Sequence, residues 1–160
     1  MSKSLKRVKA ALADAGIETE IRETPLARTA QDAANALGVA VDQIAKSIIF
    51  KGSTSGEAIL FLTAGGNVVD TAKASVCAGE PLERADADLV RAQTGFAIGG
   101  VSPIGHLNPI RAFFDPRLSE FDVVWAAAGT PHHVFAAAPD KMREISNAQT
   151  FDFTKQIQKM

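Results

Sequence analysis

Two short apolar runs constrain this chain more than any other feature: Ile48-Ile-Phe50 and Ala58-Ile-Leu-Phe-Leu62. Both are strand-length runs of bulky residues, the first closed by Gly52, and both read as strands covered on their two faces. Gly52-Ser-Thr-Ser-Gly56 between them reads as a loose hairpin connection, so the pair is expected to run antiparallel at the centre of a sheet. Lys46 stands at the head of the first run. Side chains alternate along a strand, which puts Lys46, Ile48 and Phe50 on one face and an ammonium group at the mouth of an apolar layer. Two readings stand at this point: a lysine that buries its stem and extends its head into water, and a cation placed in a pocket.

Around this pair the pattern is of short elements. Leu5, Val8 and Leu12 repeat at helical spacing up to Gly16, and Ile17, Thr19 and Ile21 then alternate with polar residues as in a half-exposed strand. Thr24-Pro25 breaks that pairing, and Thr29 caps a helix that ends at Gly38. Thr71–Ala78 reads as a short helix stopped by Gly79, and Ala87–Gln93 as a helix capped by Asp86 and closed by Thr94-Gly95. Leu82–Arg84, Phe96–Ile98, Ile110–Phe114, Val123–Ala128 and His133–Ala138 read as strands, a capped helix starts near Pro139, and the stretch from Thr150 to Met160 is expected to fray. The expected fold class is α/β of the α+β type, with a curved, mixed, largely antiparallel, barrel-like sheet flanked by short helices, and residues 1–160 forming a single domain.

Composition narrows the function classes. The chain has 160 residues, 46% hydrophobic and 22% charged, with a net charge of -1. A protein that coats duplex nucleic acid is usually basic, so any nucleic acid handled here is gripped at a small feature such as one terminus. No apolar run approaches the ~20 residues of a membrane span, so no membrane partner is expected. The N-terminus lacks the apolar core of a signal peptide, and the lone Cys77 suits a reducing cytoplasm.

Three stretches offer chemistry. Gly99-Gly100-Val-Ser102-Pro103-Ile-Gly105-His106 packs three glycines and a proline into eight residues, a loop whose amides can cradle an anion or a developing oxyanion. It is no Walker A loop, because no Lys-Ser or Lys-Thr follows, and a plain irregular connection is the alternative. Gly129-Thr130-Pro131-His132 ends a strand in a turn presenting a hydroxyl and an imidazole. His132 and His133 are adjacent and would face opposite sides of a strand, and with no Cys-x-x-Cys or His-Glu-x-x-His no metal is expected. Neither Cys77 nor Ser102 has a base placed near it, so no nucleophilic triad is legible.

Taken in order, Lys46 before Ser-Ile-Ile-Phe, Gly65-Gly66-Asn67-Val-Val-Asp70, the Gly99–His106 loop and Val124-Trp125-Ala-Ala-Ala-Gly129-Thr-Pro-His132 resemble the YbaK/EbsC family over nearly the whole chain. These are free-standing relatives of the editing domain inserted in bacterial prolyl-tRNA synthetases. The resemblance implies hydrolysis, without a cofactor, of the ester joining a wrong amino acid to tRNA, typically tRNA for proline. It implies an aminoacyl-tRNA acceptor end as partner, with prolyl-tRNA synthetase a further candidate. Lys46 then corresponds to the family's essential lysine, and Gly100 joins it as a catalytic position. Asn67, Ser102, Pro103, Gly105, His106, Gly129, Thr130 and His132 become substrate-binding candidates, with Thr24, Ala30 and Val41 as possible wall residues. A non-catalytic module binding tRNA ends or nucleotides, and a protein acting on a synthetase, are the rival classes.

Overall fold

The computed structural model describes residues 2–155. In chain order its elements are α1 (Lys3–Asp14), β1 (Arg22–Glu23), α2 (Ala30–Leu37), a 3-10 turn (Val41–Gln43), β2 (Ala45–Gly52), β3 (Ala58–Ala64), β4 (Val68–Val69) and α3 (Thr71–Ala78). There follow β5 (Leu82–Arg84), α4 (Ala87–Thr94), β6 (Arg111–Phe114), a second 3-10 turn (Pro116–Glu120), β7 (Val124–Ala127), β8 (His133–Ala137), α5 (Pro139–Ile145), β9 (Gln149–Thr150) and β10 (Thr154–Lys155).

The two apolar runs do pair antiparallel, Ala45 with Ala64 through Lys51 with Ala58. They occupy the middle of a five-stranded sheet ordered β5-β2-β3-β6-β9, antiparallel on the β2 side and parallel from β3 to β9. Every residue of β3 is buried. Its alternation feeds two cores: Leu60 and Leu62 face α1, Phe96, Phe114 and Phe135, while Ile59 and Phe61 face α3, Phe113 and Phe153. Burying each such side chain is worth about 1.5–3 kcal/mol, which is why this strand anchors the fold.

The expectation of a barrel is not met: the architecture is mixed α/β with five helices and three sheets among the described residues, and no sheet closes. Strands β1-β8-β7 form a separate antiparallel sheet, and β10-β4 a small antiparallel pair. Closure would need β2 to pair along its free edge. It pairs β5 only over Phe50–Gly52, and the neighbouring Ile44 touches β7 through a single bridge to Trp125. The edge between those contacts stands open, and the site described below lies there.

The local signals act as expected at most helix ends. Thr29 Oγ1 accepts the Asp32 amide, Asp70 accepts those of Ala72 and Lys73, and Asp86 accepts that of Leu89. Gly38, Gly79 and Gly95 close the same helices in the left-handed conformation. Helix α5 departs, starting at Pro139 with no side-chain cap. Ile17–Ile21 alternates in burial but is no strand; Thr19 Oγ1 donates to the Ala136 carbonyl at 2.8 Å, and pairing with β8 begins only at Arg22. Phe96–Ile98 is no strand either, because Phe96 plunges into the core and the Ala97 carbonyl accepts the Gly100 amide in a turn. The expected fray does not begin at Thr150: Thr150 and Thr154–Lys155 lie in short strands and Phe153 is buried, while residues 156–160 lie outside the described residues.

Candidate functional site

The open edge of β2 meets the sheet of β7 and β8 across a cleft of about 330 Å³. Lys46 lies at this edge, on the same strand face as Ile48, and its Nζ donates to the Asn67 carbonyl at 2.6 Å. Asn67 is held in turn by buried Asp115, whose Oδ2 accepts the Asn67 side-chain amide at 2.9 Å and the Ala64 amide at 3.0 Å. Asp42 accepts the Gly66 amide at 2.7 Å, and Arg117 bridges the two acids, donating from Nε to Asp42 and from its backbone amide to Asp115. Burial pushes the Lys46 pKa below its usual value, and the negative charges of Asp115 and Asp42 oppose that shift. The ammonium is therefore held by one carbonyl on a turn braced by two carboxylates. Gly65 permits this turn, since a methyl group there would collide with the Val41 carbonyl. Val41 consequently sits behind the turn, whereas Thr24 and Ala30 line the cleft.

The glycine loop divides in two. Gly99, at φ 91°, and Val101 line the cleft. Gly100 lies flat on the Thr130 backbone, where an added Cβ would come within 2.9 Å. Its amide is already given to Ala97, so it is no oxyanion donor. From Ser102 the loop turns away. Ser102 and Pro103 are buried, the Ser102 carbonyl pairs with His106 Nε2 at 2.6 Å, and the Gly105 carbonyl accepts Arg7 Nε at 2.9 Å. Gly105 thus fastens the loop to α1, the Ser102–His106 bond closes the loop on itself, and none of Ser102, Pro103, Gly105 and His106 lines the cleft.

On the opposite wall Gly129, at φ 99°, packs against the Ser4 carbonyl, and Thr130 faces the cleft. Thr130 Oγ1 lies 2.7 Å from His133 Nδ1, and His133 Nε2 lies 3.6 Å from a Glu23 carboxylate oxygen. His132 is exposed and contributes backbone: its amide donates to Thr130 Oγ1 and its carbonyl accepts the Thr24 amide. The imidazole in the cleft is therefore that of His133, which sequence reasoning passed over. A usable signal existed, since His133 shares strand parity with Phe135 of the core. Also missed were Trp125, exposed Ile98 and Arg28 at the rim, and Ser47, whose buried hydroxyl has no hydrogen-bond partner among the described residues. No local sequence signal marks these, because they converge from separate elements.

Residues 24–145 match the family model of the aminoacyl-tRNA editing domain. The chain belongs to this family. Among relatives of this editing domain, the uncharacterized protein YwhH of Bacillus subtilis is 30% identical over 144 residues, covering 89% of this chain and 91% of YwhH. The proline–tRNA ligase of Pelotomaculum thermopropionicum is 34% identical over 97 residues, covering 60% of this chain but 16% of the ligase. A crystal structure of a candidate trans-editing enzyme for prolyl tRNA synthetase superposes with a TM-score of 0.90 at 43% identity, covering 97% of this editing domain chain and 99% of that one. No helix among the described residues is long and apolar enough to cross a membrane.

Proposed function

We propose that the protein is an aminoacyl-tRNA deacylase acting in trans, which hydrolyses the ester between tRNA for proline and a small noncognate amino acid. The observation that carries this reading is the half-buried Lys46 ammonium at the edge of a cleft walled by Ala30, Ala33, Ala126 and Ala127. A site of about 330 Å³ lies at the small end of ligand pockets, which run from ~300 Å³, and suits a short side chain on a ribose. Alanine walls discriminate by size, at roughly 1–3 kcal/mol per methylene, so they set the preferred amino acid.

An aminoacyl ester is already activated, so positioning and charge stabilisation do most of the work. Water adds to the ester carbonyl, the tetrahedral intermediate collapses, and the ribose oxygen leaves with a proton, giving free amino acid and tRNA. Lys46 spends one of its three N–H donors on Asn67 and has two for the carbonyl oxygen or the terminal phosphate. The amides of Gly99 and Val101 donate no hydrogen bond among the described residues and are the donors left for the developing oxyanion. Gly100 serves by its lack of a side chain, letting the loop lie against Thr130. Thr130 and His133 bound the other side of the ester, and the neighbouring ribose hydroxyl is the nearest proton donor for the leaving oxygen. Prolyl-tRNA synthetase is the proposed source of the mischarged tRNA.

Deacylation of tRNA for proline charged separately with alanine, cysteine, serine and proline tests the reading. Release of one or more noncognate residues, with prolyl-tRNA spared, is expected. Binding without release from any of the four would replace the hydrolase by a binding module.

A further inference from the structure

The first helix carries a charge imbalance that the cleft does not use. Residues 1–16 hold four basic side chains, Lys3, Lys6, Arg7 and Lys9, against Asp14 alone, whereas the other 144 residues hold thirteen basic and seventeen acidic. Leu5, Val8 and Leu12 take the buried face of α1. At about 100° per residue, Lys3 and Lys6 therefore project from the opposite face and Lys9 from its flank. All three lysines are exposed, and none has a carboxylate within ion-pair distance among the described residues. Lys9 alone has acidic neighbours, sharing a surface groove with Glu18 and Glu20.

Arg7 on the same helix is committed otherwise. Its guanidinium donates to the carbonyls of Gly105 and Gly95, at 2.9 and 2.7 Å, and lies 4.7 Å from the centre of the Phe96 ring. The Ser4 carbonyl is packed against Gly129. Helix α1 is thus bolted to both loops that bound the cleft, and its lysine face has a fixed position relative to the site.

We propose that the Lys3, Lys6 and Lys9 face of α1 docks the phosphate backbone of the tRNA acceptor stem whose charged end enters the cleft. The identity of the RNA rests on the deacylase reading. The remainder of the chain carries net negative charge and repels phosphate, so the stem is steered toward α1. A few phosphate contacts beside a terminus also reconcile RNA binding with a chain of net charge -1.

The test is the salt dependence of binding to uncharged tRNA, followed by fluorescence anisotropy, for the unaltered protein, the triple variant Lys3→Gln/Lys6→Gln/Lys9→Gln, and Lys141→Gln on α5 as a remote charge control. Each phosphate-neutralising lysine contributes roughly one unit to the slope of log K against log salt, so the triple variant is expected to lose about two to three units and the control less than one. Where release is measurable, the triple variant raises KM for charged tRNA while hydrolysing an aminoacyl-adenosine at the unaltered rate. An unchanged slope, an equal loss in the control, or no salt-dependent tRNA binding by the unaltered protein overturns the dock. Failure of the deacylase reading shows separately, as absent release from charged tRNA while the binding slope still reports on α1.

Discussion

The two halves of the glycine loop show how one local sequence signal serves two ends. Gly99 and Val101 border open space with their amides unpaired, while Gly100 between them gives its amide to Ala97 and lies on the Thr130 backbone. Ser102 to His106, of similar composition, is a buckle: the serine and glycine carbonyls are each matched by a donor, from His106 and Arg7. Glycine and proline content announces an irregular loop, but hydrogen-bond partners decide which half is free to meet a ligand. The cleft half should therefore answer to turnover measurements and the buckle half to stability measurements.

Within the loop, the largest effect is expected at Gly100. Gly100→Ala places a methyl 2.9 Å from the Thr130 backbone, which must displace the loop or the opposite wall. A fall of about 10- to 100-fold in kcat/KM is expected, because small misplacements in a site are costly; turnover within twofold of the unaltered protein would break the distinction. Next, Arg7→Met removes a charged donor from two carbonyls and should cost about 2 kcal/mol in denaturant unfolding. Its kcat should stay within about threefold, and a large kcat loss at unchanged stability would move the buckle into the active machinery. Smaller is the contrast between the adjacent histidines: His133→Ala should lose several-fold in turnover, while His132→Ala, exposed and acting through backbone, should lose nothing.

The smallest effect is a pH dependence of stability. Burial of His106, aided by the nearby Arg7 charge, holds its pKa below 6.5 against the hydrogen bond to Ser102. Between that depressed value and 6.5 the unfolded chain takes up a proton that the folded chain does not, so stability falls as the pH drops through this window. Thermal unfolding from pH 7 to 5 should fall less steeply in His106→Asn; an identical slope would show that His106 contributes nothing to it.

What the sequence made legible was what neighbours in sequence decide. Thr29 and Asp86 cap helices through their own next turn, and Gly38, Gly79 and Gly95 stop them through the preceding turn. The apolar run of β3 announces a central strand because nothing else buries seven residues in succession. Misreadings came where the partner is remote. Ile17–Ile21 has strand alternation, yet the bond that matters there is made by a side chain to Ala136. Phe96 looks like strand but fills the space beneath Gly129. Whether sheets close depends on one edge of β2, which no run of residues encodes. In the site, Lys46 could be singled out from its place before an apolar run, but its bracing by Asp115, 69 residues away, could not. His132 and His133 differ by one step of strand parity, and the turn at Thr130 fixes that parity only in three dimensions.

The central claim is that the Lys46 ammonium acts on the ester rather than merely holding the RNA. The most direct test measures release and tRNA affinity side by side for the unaltered protein and Lys46→Ala, using the mischarged tRNA that the unaltered protein deacylates best. Release slowed by about 100-fold or more is expected, with tRNA affinity within a few-fold and folding intact. Release at the unaltered rate, or a loss fully explained by weakened binding, would contradict it.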